Sequence, residues 1–377
     1  MSSTAACLDA VAAYDKRKEF LPAMTQRENI LRLLHRQQYE FAPVEFNLCP
    51  KLIETYRREE NQPTLYYDDY FGFPWRSMPG PVPDTSDVTR FYKYHEGRMN
   101  ERVSVDNNGV GHEWTPTSMH MTKMLCPLDK AENVDDILTY PLPNYTKENN
   151  PNLKAVADSI HARGLASCGN MQCTVWETAW YIRGMENLMC DMMSDDEMAA
   201  AMLDKVTEMS LGRALLYAEA GVDILYLGDD IGMQSSIMMS RELYMKWIQP
   251  RLKKIISAVK SIRPEIIVFY HSCGYIEPLI PDLIDAGIDT LNPIQSECMD
   301  FAEIYKKYHD KLTFHGTIGT QTVMPFGTPD EVRETVWHNL DIAKDGGLIA
   351  APTHMLEPEV PWANVRAYVD ACRDYKR

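Results

Sequence analysis

Two good metal ligands stand two residues apart at the end of an apolar run, Ile266-Ile267-Val268-Phe269-Tyr270-His271-Ser272-Cys273-Gly274. On an extended strand end, residues i and i+2 point to the same side, so the His271 imidazole and the Cys273 thiolate can converge on one ion. A tetrahedral zinc site that keeps an open position needs a third protein ligand. His354, Cys298 and Glu297 are the candidates for it, with Asp229 less favoured. The same pair has a plainer reading, as a polar strand end buried in the fold.

Other groups of the right type fall at the ends of apolar runs. Asp229 and Asp230 follow Val222–Leu227 and Gly228. They are the candidate catalytic carboxylates, able to bind a substrate group or move a proton, and equally able to cap the next helix. Asn47, Asn170, Asn292 and Gln295 are candidate substrate-binding amides. His315 reads more readily as a core histidine, whereas His354 falls just past the last strand and is a candidate metal ligand. Nucleophile elbows and phosphate loops, Gly-x-Ser-x-Gly and Gly-x-x-x-x-Gly-Lys-Ser/Thr, do not occur. Gly109-Val-Gly111 lacks the third glycine and the helix of a dinucleotide fingerprint.

The elements that must carry these residues alternate. Thr25-Gln-Arg-Glu28 has the form of a capping box before a helix through Ile30, Leu31, Leu33 and Leu34. Pro43–Leu48 is a first strand candidate, ending at Asn47 and Cys49. Residues 50–145 are irregular and rich in Tyr, Pro, Asp and Gly, with a hairpin predicted near Arg102–Trp114 and a linker-like stretch at Pro141–Pro151. From residue 152 onward single strands alternate with single helices, including one helix over Ser240–Ile262 and another over Pro329–Asp345. A parallel connection needs such a crossover, so the chain predicts an α/β fold, a (β/α)8 TIM barrel. An arm over residues 1–24 precedes a single barrel domain over 25–377, with the irregular stretch as an insertion. In such a barrel the strand C-termini form the working face, and the candidate residues all fall there.

The formal charge of −16 argues against a nucleic-acid partner. No apolar run approaches a transmembrane span, and Met1–Cys7 lacks a basic region before an apolar stretch, so a cytoplasmic location is expected. Nine cysteines, odd in number and scattered, do not form a disulfide framework. The 22 methionines read as core filling.

Thr25–Leu34, Trp176-Glu-Thr-Ala-Trp-Tyr-Ile-Arg-Gly-Met-Glu-Asn-Leu188, Gly228-Asp-Asp-Ile-Gly-Met-Gln234, His271-Ser-Cys-Gly274 and Ala351-Pro-Thr-His354 together resemble the uroporphyrinogen decarboxylase superfamily from about residue 25 to the C-terminus. The resemblance implies a (β/α)8 barrel with a deep cleft. The decarboxylases carry a Met-Arg-Gln-Ala-Gly-Arg signature whose arginines hold the substrate carboxylates; here the region reads Asn47-Leu-Cys-Pro-Lys-Leu-Ile53, with no arginine before Arg57. In the other branch, the corrinoid-linked methyltransferases, some members use a His-x-Cys pair and a later cysteine to hold zinc. His271 and Cys273 match the pair, while the later position is Ala351-Pro-Thr-His354, so either His354 stands in for the cysteine or another ligand completes the set.

The function so implied is zinc-dependent transfer of a methyl group between a small methylated donor, such as a methoxylated aromatic, and a corrinoid carried by a partner protein. Metal-free decarboxylation of a porphyrinogen or smaller acid is the alternative, and a tetrapyrrole carrier is the third. A homodimer is compatible with the chain.

Overall fold

The computed structural model describes residues 24–114 and 122–376. Ten strands are formed among the described residues: β1 (Trp75–Ser77), β2 (Val103–Val105), β3 (Gly111–Trp114), β4 (Thr122–Leu125), β5 (Ala166–Gln172), β6 (Ile224–Gly228), β7 (Ile267–His271), β8 (Thr290–Asn292), β9 (Thr313–His315) and β10 (Leu348–Ile349). Seven of them make one curled parallel sheet in the order β1-β5-β6-β7-β8-β9-β10. Between consecutive strands from β5 onward the chain returns through helices, the right arrangement for a TIM-barrel-like α/β fold.

β1 and β10 are the edges of this sheet, and the segment 44–48 runs as extended chain outside it. Leu48 bridges Leu356 in parallel, with the Leu356 N–H donating to the Asn47 carbonyl at 2.8 Å and the Cys49 N–H to the Leu356 carbonyl at 3.0 Å. On the other side the Phe46 ring meets Phe73, just before β1, edge-on at 4.9 Å. The expected strand at 43–48 is therefore an extended segment held by a single bridge, not a ladder. Conversely, β1 lies in the stretch read as irregular. Three residues behind Pro74 are too few for a period-of-two pattern to register. The expected hairpin forms as β2 and β3, and β4 adds a third antiparallel strand to it.

Alternation decides what faces where. Ile224 and Tyr226 on β6, Ile267 and Phe269 on β7, and Ala166 and Cys168 on β5 point into the barrel. Leu225, Leu227, Val268 and Tyr270 point outward and pack under the helices. Helix Gln26–Leu34, capped by Thr25 and Glu28 as its sequence predicts, closes the N-terminal end of the barrel with Ile30, Leu33 and Leu34. Arg27 fixes it there by donating from Nε and a terminal nitrogen to Asp223 at 2.9 and 2.8 Å, just before β6. The interior is thus closed below and open above.

The helix expected over Ser240–Ile262 is two helices, Arg241–Trp247 and Gln249–Ile262. Pro250 has no N–H for the carbonyl one turn back, and its ring would strike it. The helix at the far end is Pro329–Ile342, and Trp362–Asp374 completes the chain. Of the arm at 1–24, residues 1–23 lie outside the described residues. The eight cysteines among the described residues are all free. None of the described helices is long and apolar enough to cross a membrane.

Candidate functional site

β6 and β7 run in register with Gly228 opposite His271. Two residues further along each chain, Asp230 therefore comes level with Cys273. The Cys273 N–H donates to Asp230 Oδ1 at 2.8 Å. That same oxygen lies 3.7 Å from His271 Nε2, and Nε2 lies 3.5 Å from Cys273 Sγ. Ligand atoms of a tetrahedral zinc centre are about 3.3–3.7 Å apart, given bonds of roughly 2.0–2.3 Å. The donor set and its spacing fit zinc. Among the described residues, Asp230, His271 and Cys273 are the group of three whose ligand atoms lie within 4.8 Å of one another.

Glycines make this approach possible. A Cβ on Gly228 would lie 2.7 Å from the His271 Cβ, so only glycine lets β7 come this close. Beyond the strands the two loops pair, with the Tyr275 N–H donating to the Met233 carbonyl at 2.7 Å. Gly274 sits at φ +85°, where a Cβ would strike the Met233 carbonyl oxygen at 2.6 Å.

Behind the imidazole runs a buried hydrogen-bond chain. His315 Nε2 lies 2.9 Å from Glu45 Oε2, and its Nδ1 lies 2.6 Å from the Asn292 Nδ2. The Asn292 Oδ1 is left to accept from Tyr226 OH at 2.6 Å and from His271 Nδ1 at 2.6 Å. His271 is thereby fixed with its lone pair on Nε2, facing Asp230 and Cys273. Burial, and against it the pull of Asp230, leaves the His271 imidazole below its ordinary pKa. Burial, with Asp230 alongside, pushes the Cys273 thiol up to about 12. A bound cation would reverse that balance and take the thiolate.

Asp229 has a different place from its neighbour. It is 1% exposed, and its carboxylate accepts the Val175 N–H at 3.1 Å and the Glu177 N–H at 2.9 Å, capping helix Trp176–Arg183. Burial and the nearby Glu177 push its carboxyl well above the usual range. Glu177 in turn accepts from the Asp230 N–H at 3.0 Å. Of the two candidate catalytic carboxylates, only Asp230 reaches the site.

The centre lies where two cavities meet. The first, about 430 Å³, has His271 on its wall with Glu45, Trp75, Tyr226 and Phe269. The second, about 410 Å³, is lined by Cys273, Gln295, Gln321 and Glu357. Thr353, His354 and Met355 line both. His354 thus stands at the partition, exposed, and outside the group of three. Among the described residues, the group whose ligand atoms come together with those of His271 and Cys273 contains Asp230 and not His354, Cys298 or Glu297. Glu297 instead accepts from the Gln321 N–H at 3.2 Å and from Thr322 Oγ1 at 2.9 Å.

Asn47 and Asn170 line the first cavity, exposed to it. Asn292 also lines it, with its carboxamide engaged by His271, Tyr226 and His315. Gln295 lines the second and accepts from the Gly274 N–H at 2.9 Å. Glu45, Trp75, Tyr226 and Phe269 were not singled out by sequence. The available signal was the alternation itself: counting back by two from Asn47 gives Glu45, and from Gly228 gives Tyr226.

A sequence profile of the uroporphyrinogen decarboxylase family (URO-D) matches residues 135–375. The chain is 28% identical to a methylated-thiol–coenzyme M methyltransferase of Methanosarcina mazei over 205 residues, 52% of this chain and 50% of that protein. It is 27% identical to a methylcobamide:CoM methyltransferase of Methanosarcina barkeri over 174 residues, 46% of this chain and 48% of that one. A uroporphyrinogen decarboxylase of Chlorobium limicola is 25% identical over 189 residues, 48% of this chain and 51% of that one. The chain spans about half the length of the curated relatives it matches. Among solved structures, a methyltransferase from Methanosarcina mazei shares the fold with a TM-score of 0.64 at 17% identity, covering 92% of this chain and 98% of that one.

Proposed function

The chain belongs to the uroporphyrinogen decarboxylase family, and from that premise we propose that it is a metal-dependent methyltransferase moving a methyl group from a small donor, such as a methoxylated aromatic, to the cobalt of a corrinoid carried by a partner protein. The observation that carries this reading is the gathering of Asp230, His271 and Cys273 at zinc spacing where two cavities meet. One cavity has room for a donor; the other opens beside Cys273 for whatever takes the methyl group. The names of the Methanosarcina relatives, which refer to methylcobamide and methylated thiols, favour the same chemistry.

Zinc on this set would supply a Lewis acid that polarises the methyl-bearing heteroatom of the donor. The remaining tasks fall to the chain. Asn292 holds His271 in the ligating tautomer. Asp230 ties the β6 and β7 loops together through the Cys273 N–H. Trp75, Tyr226 and Phe269 keep water from the donor side of the first cavity. In the reaction the bond from methyl carbon to heteroatom breaks, the heteroatom keeps that electron pair and takes a proton from solvent, and the acceptor, a cob(I) corrinoid, would supply the pair for its new bond to the methyl carbon and become methylcob(III).

The test is spectroscopic. Zinc-loaded protein, cob(I)alamin and a methoxyphenol should produce methylcob(III)alamin and the demethylated phenol, with loss of turnover in Cys273→Ala. No cobalt methylation across methyl ether, methylthiol and methylamine donors would overturn the proposal.

A further inference from the structure

Below His271 the first cavity contains a corner of aromatic rings. Trp75, Tyr226 and Phe269 all line it. Trp75 and Phe269 are inclined at 71° with their centres 5.9 Å apart, and Tyr226 and Phe269 at 90° with 5.5 Å between centres. Rings at such angles form the walls of a pocket, where parallel rings would fill it. The Tyr226 hydroxyl is engaged with Asn292 Oδ1 at 2.6 Å, so the ring is what Tyr226 offers an occupant. Glu45 lines the same space, and no lysine or arginine does among the described residues. Whether His315 is neutral or protonated, its pair with Glu45 brings no net positive charge. The chain as a whole stands at −16, a field that draws cations toward its clefts. Electron-rich ring faces attract a cation, and one dressed in alkyl groups also packs against them and gives up little hydration.

We propose that this corner is a receptor for an alkylated ammonium group, so that the donor carries a positive charge at the end remote from the methyl group it gives up. Phe269 stands two residues before His271 on β7, and Tyr226 two before Gly228 on β6. At about 3.3 Å per residue, the corner lies roughly 6–7 Å below the level of the metal-ligating side chains. A donor held by its cationic head between the rings presents a heteroatom a few bonds away to His271 and Asp230. A quaternary nitrogen has no lone pair and is no metal ligand, so the two ends of the donor have separate tasks: the head is recognised and the heteroatom reacts. The inference rests on the methyl-transfer reading only for what stands at the metal; the cation site stands on the cavity.

Calorimetric titration of the zinc-loaded full chain with choline and with 3,3-dimethylbutan-1-ol tests this. The two share shape and hydroxyl and differ only in a cationic nitrogen for a carbon. Choline should bind about tenfold more tightly. Trp75→Leu and Phe269→Leu should each remove most of that preference by weakening choline, with the alcohol little changed. Equal or tighter binding of the alcohol in the wild type overturns the proposal. A full choline preference in folded Trp75→Leu and Phe269→Leu overturns the place assigned to the cation. The cob(I)alamin assay separates this claim from the functional reading. Protein that prefers choline without methylating cobalt keeps this inference and loses the function; protein that methylates cobalt from methoxyphenol without preferring choline does the reverse.

Discussion

The carboxamide oxygen of Asn292 lies 2.6 Å from His271 Nδ1, on the side of the ring away from Cys273 and Asp230. One hydrogen bond therefore decides which nitrogen of the imidazole is available to a metal, and β8 supplies it to β7.

Removing that bond weakens the metal site without removing a ligand. Asn292→Ala frees the ring to rotate and to change tautomer, and loss of such a supporting partner costs about 10–100-fold in metal affinity. Competition against a chromophoric chelator measures it. Affinity equal to wild type would mean that the tautomer is held by something else.

The third ligand is decided by comparing two variants. Asp230→Ala removes a group whose Oδ1 lies 3.7 Å from His271 Nε2 and should lower bound zinc well below one equivalent. His354→Ala removes a residue at the partition between the cavities and should leave zinc content near wild type. The opposite pattern would return His354 to the ligand set.

Much of this was legible in the chain and some was not. The apolar run ending in His271, with Cys273 two residues on, declares its own geometry, because two residues along an extended chain share a face. The barrel follows from single strands alternating with single helices after residue 152. Asp230 as partner to that pair did not follow, since it depends on a register between β6 and β7 that local pattern does not encode. Asp229 and Asp230 look alike in sequence, yet one caps a helix and the other faces His271. β1 escaped because three residues after a proline leave no periodic trace. Glu45 escaped because a lone carboxylate in an apolar segment looks like a solvent-facing position until its partner, His315, is known to lie across the barrel.

Close approach of β6 and β7 depends on Gly228. An added Cβ at 2.7 Å from both the Cβ and the carbonyl oxygen of His271 cannot be accommodated without moving the strand. Gly228→Ala should cost about 1–3 kcal/mol of stability, as overpacking does, and reduce zinc content as well. Urea denaturation and elemental analysis on the same preparation check both; unchanged values would show that β7 has room to move.

The base of the barrel carries the clearest pH dependence. Burial raises the Asp223 carboxyl, but the Arg27 hydrogen bonds and charge outweigh it and hold the pKa below the ordinary value. A carboxylate depressed in the folded state stabilises it above the unfolded pKa of about 3.9 and loses that contribution as pH falls through the folded value. Arg27→Leu should therefore cost about 1.5–3 kcal/mol near neutral pH. The difference from wild type should fade in acid, as Asp223 takes up a proton. A penalty that stays constant from pH 7 to pH 3 would assign the loss to packing instead.

The central claim is a metal ion held by Asp230, His271 and Cys273. Anomalous diffraction across the zinc edge, on crystals of the zinc-loaded protein, tests it most directly. The account predicts one strong peak about 2.0–2.3 Å from His271 Nε2, Cys273 Sγ and an Asp230 carboxylate oxygen, absent in the His271→Ala, Cys273→Ala double variant. No peak at this position, or a peak that persists in the double variant, would contradict it.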